Sequence, residues 1–227
     1  MITINLRDRR IEPADELAAF FFLTDPSSIN PNGYDLWVVN SQNLPDQITN
    51  ADITSINATM RARTPRNAWE SFVNSPAPLN WLRALDPAWD LVDMNDDAWA
   101  EANCENHLEL ALQSIMGKYR RTAVVTKVLG LKRPRLIPIC DRNVASVLGA
   151  HTDGPLVAVD LITRVRAVGR DNLESLHEID ARLRTIGIKR SLVRILDSLL
   201  WSAYTATGRD AEFAKWIIKY RSGHLFF

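Results

Sequence analysis

The segment IMGKYRRTAVVTKVLGLKRPRLIPICDRNVASVL, from Ile115 to Leu148, carries the reading of this chain. A helix ends at Ile115, the chain turns at Gly117, and a second helix follows with apolar residues at Ala123, Val124, Val128 and Leu131. A basic loop and the apolar run Leu136-Ile137-Pro138-Ile139-Cys140 come next. Asp141 then opens a further helix over Arg142 to Leu148. Backbone N–H groups exposed at such a turn can hold an anion, and Lys118, Arg120 and Arg121 add charge there. Asp141 suits a helix N-cap, because a short carboxylate satisfies the free N–H groups of the first turn.

Outward from this segment the pattern is helical. Toward the C-terminus, helices are expected at Pro155 to Val168, Asn172 to Ile186, Ser191 to Thr207 and Asp210 to Tyr220. Toward the N-terminus they are expected at Asp96 to Ser114, Leu79 to Leu85, Arg66 to Val73, and from Asn50 with Asn50 or Asp52 as cap. Gly117, Gly130, Gly149, Gly169, Gly187 and Gly208 fall where helices should stop. Ile2 to Leu6 alternates like a short strand, and Glu12 to Leu23 presents an apolar face of Leu17, Phe20, Phe21 and Leu23. Asp25-Pro26-Ser27-Ser28 and Asn30-Pro31-Asn32-Gly33 break the chain, and Tyr34 to Asn43 fits strand or helix. There is no regular strand–helix alternation, so a doubly wound sheet is not expected. The expectation is one mainly α domain over residues 1–227, with a lobe boundary near residues 75–79 at Ser75-Pro76-Ala77-Pro78.

Composition narrows the function classes. With 227 residues and 46% apolar content the chain can bury a substantial core. It lacks the roughly 18 apolar residues in a row of a membrane span and the basic-then-apolar start of a secretory signal, so a cytoplasmic location is expected. Cys104 and Cys140 are its only cysteines, too few for a disulfide framework, a four-thiolate zinc site or a cysteine-ligated iron–sulfur cluster. His107, His151, His177 and His224 show no metal-ligand spacing, and no phosphate loop of the Walker or dinucleotide type is present. No metal and no cofactor are expected. Net charge is zero, yet residues 86–109 hold eight acids and no Lys or Arg, whereas residues 117–142 hold eight basic residues and one acid, Asp141. The two runs read either as opposed fields on opposite faces or as ordinary solvated helix surfaces.

The Ile115 to Leu148 segment resembles the core of the helix-hairpin-helix DNA glycosylases. Those have a hairpin of the form Leu-Pro-Gly-Val-Gly, then Arg-Lys-Thr-Ala opening a helix, then Val-Asp-Thr-His-Val containing the catalytic aspartate. Here Ile115-Met116-Gly117-Lys118-Tyr119 stands at the hairpin, Arg120-Arg121-Thr122-Ala123 follows, and Cys140-Asp141-Arg142-Asn143-Val144 stands at the aspartate motif. The spacing Lys-x-Leu…Pro-x-x-x-Pro-Ile-x-Asp-x-x-Val, from Lys127 to Val144, is also similar to that of an uncharacterised bacterial family of about this size. The resemblance covers about 35 residues and implies a two-lobed helical glycosylase fold acting on double-stranded DNA, as a monomer. It implies that Asp141 is catalytic and that Gly117, Lys118, Arg120, Arg121, Lys127 and Arg142 contact DNA. Two departures matter. Tyr119 replaces the second hairpin glycine, restricting the backbone there. Arg121 stands where lyase-competent members carry a Schiff-base lysine, and a guanidinium that stays protonated cannot form that adduct.

The implied reaction is therefore hydrolytic removal of a damaged or modified base by a monofunctional enzyme. Lys127 lies six residues beyond Arg121, about 9 Å of helical rise, on a different face, and is expected to contact a phosphate or pair with Asp141. A turned-out base needs a pocket, for which Asn57, Arg63 and Trp69 are the leading candidates, with Trp37, Trp81, Trp89 and Trp99 behind them. The alternatives are a helix-to-loop hydrogen bond for Asn57, a surface charge for Arg63 and a core position for each Trp. Arg182, Arg184, Lys189, Arg190 and Arg194 read as an extended DNA-facing surface or as solvated helix charges. A modified phage base, such as glucosylated hydroxymethylcytosine, and a role in defence form one substrate expectation; housekeeping repair is the other. The competing class is a helix-hairpin-helix protein that grips DNA without chemistry.

Overall fold

Two helices that are apolar on nearly every side lie in the interior, as such sequences must. The first is Thr122–Lys132, buried continuously from Val125 to Lys132. The second spans residues 192–203, in which Leu192, Val193, Ile195, Leu196, Leu199 and Leu200 are all buried. The computed structural model describes residues 2–7, 9–30, 33–40, 42–151 and 154–203. The helix expected at Asp210 to Tyr220, the end of the one expected to reach Thr207, and Pro31, Asn32, Gly208 and His224 lie outside them.

Amphipathic helices surround this pair. Cys104–Ile115 packs its Leu108, Ala111, Leu112 and Ile115 stripe against the Ala158, Leu161, Ile162 and Val165 stripe of Pro155–Asp171. Each such buried Leu or Ile stabilises the fold by roughly 1.5–3 kcal/mol over an exposed one. Ala14–Thr24 packs on Leu173–Thr185, bridged at its rim by Arg182 and Asp15 at 2.5 Å. The N-terminal strand is shorter than its alternation implies: Ile4–Asn5 pairs antiparallel with Arg10–Ile11. Asn172 holds it to the helical layer by exchanging two hydrogen bonds with the Asn5 backbone at 2.7 and 2.9 Å. The molecule is mainly helical, and its buried residues from Ile2 to Leu200 form one hydrophobic cluster. No helix among the described residues is long and apolar enough to cross a membrane.

Several boundaries differ from the sequence expectation for local reasons. Asp96 to Ser114 is two helices, Asp96–Glu101 and Cys104–Ile115, parted at Asn103, which takes φ 51. Asparagine visits that left-handed region more readily than most residues. Helix Asn50–Thr59 is capped by Thr49, with Asp52 closing a reciprocal capping box. Tyr34 to Asn43 begins with one helical turn, Tyr34–Trp37. Gly149 and Gly187 do end helices at φ 62 and 81. Gly130 sits inside a helix, because a side chain there would collide with the Tyr34 hydroxyl.

Between the two interior helices runs the extended segment 137–140, whose backbone donors find no strand partner. Side chains from the helices supply acceptors: Ile139 N–H donates to Asp197 Oδ2 at 3.0 Å, and Cys140 N–H to Thr126 Oγ1 at 3.0 Å. Buried N–H groups left unpaired cost roughly 1–3 kcal/mol, so these polar residues inside apolar helices fix the approach to Asp141.

Candidate active site

Asp141 ends that extended segment as the N-cap of Arg142–Val147. Its Oδ1 accepts both cap hydrogen bonds, from Asn143 N–H at 2.9 Å and Val144 N–H at 3.1 Å. Oδ2 makes no hydrogen bond among the described residues. The half-buried carboxylate stands in the wall of a cavity of about 340 Å³, with Phe21, Asp25, Arg61, Lys127, Asp197 and Trp201 also in its lining. That volume lies in the range of small-molecule sites, about 300–1,000 Å³.

Lys127 enters the same cavity from Thr122–Lys132. Its Nζ donates to Met60 O at 2.8 Å, and the residue is only 8% exposed. Burial pulls its pKa below the ordinary lysine value, and the charge of Asp141 works against that shift. Asp197 is pushed up to about 6 by burial, against the pull of Arg194, whose Nη1 it accepts at 2.6 Å. Arg194 is the hub of the far wall. It donates Nε to Asp35 Oδ1 at 2.6 Å and Nη2 to Ser27 Oγ at 3.1 Å, and it stacks over Phe21 at 5.0 Å and Tyr34 at 5.4 Å. It therefore serves the interior and does not extend a DNA-facing surface.

A larger cavity of about 510 Å³ shares Arg194 and Asp197 with this one. Its charged lining is mostly closed on itself through Arg135–Asp90 and Arg184–Asp180 ion pairs at 2.9 and 2.7 Å and a His177–Asp93 hydrogen bond at 3.0 Å. Asp141 and Lys127 belong to the smaller cavity, and chemistry rather than size selects it.

The hairpin residues divide. Gly117 and Arg120 close a tight turn by exchanging backbone hydrogen bonds at 3.0 and 3.1 Å, so those two N–H groups are occupied. Arg120 turns inward: Nε donates to Ile115 O at 2.6 Å, Nη1 to Ala68 O, and its guanidinium lies 5.0 Å from the Phe72 ring. Gly117, Lys118, Tyr119, Arg121 and Arg142 are exposed. The basic run also splits, since Lys132 is buried in an ion pair with Asp52 at 2.7 Å and Arg133 is buried among backbone carbonyls.

The three pocket candidates take other positions. Trp69 is fully buried and donates Nε1 to Thr64 Oγ1 at 2.9 Å, which makes it a core residue. Asn57 brackets Thr64 with two hydrogen bonds of 2.9 Å, the helix-to-loop role. Arg63 is exposed in that loop. In their place the cavity takes Phe21, Asp25, Arg61, Arg194, Asp197 and Trp201. Arg194 and Asp197 had a readable signal, two charges inside the apolar run Leu192 to Leu200. Arg61 had none.

Unpaired cations stand on the segments that lead into the site, with Arg61 in its lining. Arg61, Arg63, Lys118 and Arg142 are exposed without an ion-pair partner among the described residues, whereas Arg164, Arg182 and Arg184 on the outer helices are all paired with acids. The hairpin joins this group through Thr64, whose Oγ1 donates to Tyr119 O at 3.3 Å. The fold and site thus define a mainly helical protein whose carboxylate and desolvated lysine share a cavity beside unpaired cations. Residues 14–204 match a family of unknown function, DUF6308, and the chain belongs to that family. No curated protein and no solved structure matches it.

Proposed function

We propose that this protein is a monofunctional DNA glycosylase of the helix-hairpin-helix kind, which turns a damaged or modified nucleotide out of the duplex and hydrolyses its N-glycosidic bond. The observation that carries the reading is Asp141, which spends one oxygen on a helix cap and keeps the other for a base-sized cavity flanked by unpaired cations. Bond cleavage develops an oxocarbenium-like charge on the sugar, which an ionised carboxylate beside C1′ stabilises. The same carboxylate orients or deprotonates the attacking water, and the base leaves an abasic site behind. Phe21 and Trp201 supply aromatic surface for the base, and Asp25 and Asp197 supply acceptors. A cavity of this volume and polarity also admits a base carrying a bulky substituent, such as glucosylated hydroxymethylcytosine in phage DNA, in keeping with a defence role.

The test is abasic-site release from genomic DNAs that differ in base modification, wild type against Asp141→Asn. Release from at least one DNA, reduced by about 100-fold or more in the variant, is the expected result. Duplex binding without release from any DNA would leave the non-catalytic binding module.

One observation favours a second route. Lys127 lies in the same cavity with a pKa lowered by burial, the condition under which an amine becomes a nucleophile. Attack of neutral Nζ on C1′ would expel the base and, after ring opening, form an imine that borohydride reduces to a stable protein–DNA link. Nζ already donates to Met60 O and faces the charge of Asp141, so the hydrolytic route predicts no trapped species.

A further inference from the structure

Three non-glycine residues among the described ones hold positive φ, and two of them stand in one loop beside the Asp141 cavity: Arg61 at φ 50 and Arg63 at φ 52. Left-handed backbone is the province of glycine, so these side chains are kept against a conformational cost. Their heads make no ion pair or hydrogen bond with the described residues, and both residues are exposed.

The backbone beneath them is firmly held. Ala62 N–H donates to Ile56 O at 3.2 Å, Met60 O receives Lys127 Nζ, Asn57 brackets Thr64, and Thr64 Oγ1 reaches Tyr119 O. A rigid loop therefore presents two long cationic side chains between the cavity and the hairpin, with Arg61 in the cavity lining.

We infer that this loop is the wedge that keeps the duplex open. Arg61 takes the phosphate of the turned-out nucleotide, and Arg63 fills the place it vacates in the stack. A nucleotide turned out of a duplex returns unless its place is filled, and proteins that deform DNA commonly insert a side chain at the unstacked step. A guanidinium suits both positions, since its planar face stacks on bases and its edge donates to phosphate. The inference rests on the base-excision reading and adds the residues that make eversion persist.

The experiment uses the full chain and a duplex carrying one tetrahydrofuran abasic analogue with 2-aminopurine beside it, against the same duplex without the analogue. Wild type is expected to prefer the abasic duplex and to raise 2-aminopurine fluorescence as the wedge disturbs its stacking. Arg63→Gly, which suits the backbone and leaves the fold intact, is expected to keep affinity for the intact duplex within about threefold. It should lose the fluorescence rise and about tenfold of the preference for the abasic duplex. Arg61→Gly should weaken binding to both duplexes alike. An undiminished rise and preference in Arg63→Gly overturns the wedge while leaving the base-excision reading in place. Absence of duplex binding by wild type overturns both.

Discussion

The helix cap observed at Asp141 and the catalytic role proposed for it can be separated by substitution, because the cap needs only a short acceptor whereas the proposed chemistry needs a charge. Asn is as good an N-cap as Asp, so Asp141→Asn is expected to keep stability within about 0.5 kcal/mol, while Asp141→Ala should lose about 1 kcal/mol. Urea titration of both variants checks this, and an equal loss in Asn and Ala would mean that the charge itself supports the fold. The Arg61 backbone offers the opposite trade. Relieving its left-handed strain, Arg61→Gly should raise stability by roughly 1 kcal/mol while weakening DNA contact; a thermal shift downward would show that the side chain packs against the fold. These two residues also mark how far the site was legible. Asp141 could be read because an acid between an apolar run and a helix start is local grammar. Lys127 could be read as a neighbour of Asp141, since their shared cavity needs only a helix and the return of a loop, but its bond to Met60 O could not. Arg61 could not, because its position depends on where Ile56, Asn57, Lys127 and Tyr119 bring the 60–64 loop.

At the level of elements, the interior helices are joined to the N-terminal third of the chain through buried charge. Asp35 on Tyr34–Trp37 accepts from Arg194 and Ser28, and Arg194 in turn binds Asp197. Removing one member leaves an uncompensated charge in the core, so Asp35→Ala is expected to cost about 3–5 kcal/mol. Arg182→Ala, which breaks half-exposed pairs with Asp15 and Glu178, should cost no more than about 1 kcal/mol. Denaturant midpoints of the two variants test the contrast, and similar losses would refute the central place given to Arg194. Helices such as Arg142–Val147, Pro155–Asp171 and Leu173–Thr185 were legible to within a few residues because their signals are periodic and their ends carry caps or glycine. The roles of Gly130 and Trp69 were not. A glycine that admits Tyr34 and an indole that bonds Thr64 are set by tertiary packing, which leaves no mark on local periodicity.

The whole molecule has no net charge, and two global responses follow from how its charges are spent. Stability should depend on pH through Asp197. Its folded pKa is raised to about 6, above the ordinary value near 4, so the folded state holds this proton more tightly than the unfolded chain. The resulting stabilisation is fully present below about pH 4 and is lost as pH rises through about 6. Relative to Asp197→Asn, wild type should therefore lose stability across that window, and parallel curves would remove Asp197 as the cause. On the proposed base-excision reading, DNA binding should depend on salt through the other set of charges. Most arginines on the outer helices already neutralise acids and release no counterions on contact, so the zero sum does not weaken the unpaired group around the cavity. If Arg61, Lys118 and Arg142 each meet one phosphate while Arg63 stands in the stack, log K against log salt should fall with a slope of about −2.7, at about −0.9 per contact. Replacing Arg142 with Gln should make that slope shallower by about 0.9, whereas Arg182→Gln, on the paired outer surface, should leave it unchanged. Equal changes in the two variants would mean that DNA meets the protein somewhere other than the Asp141 cavity.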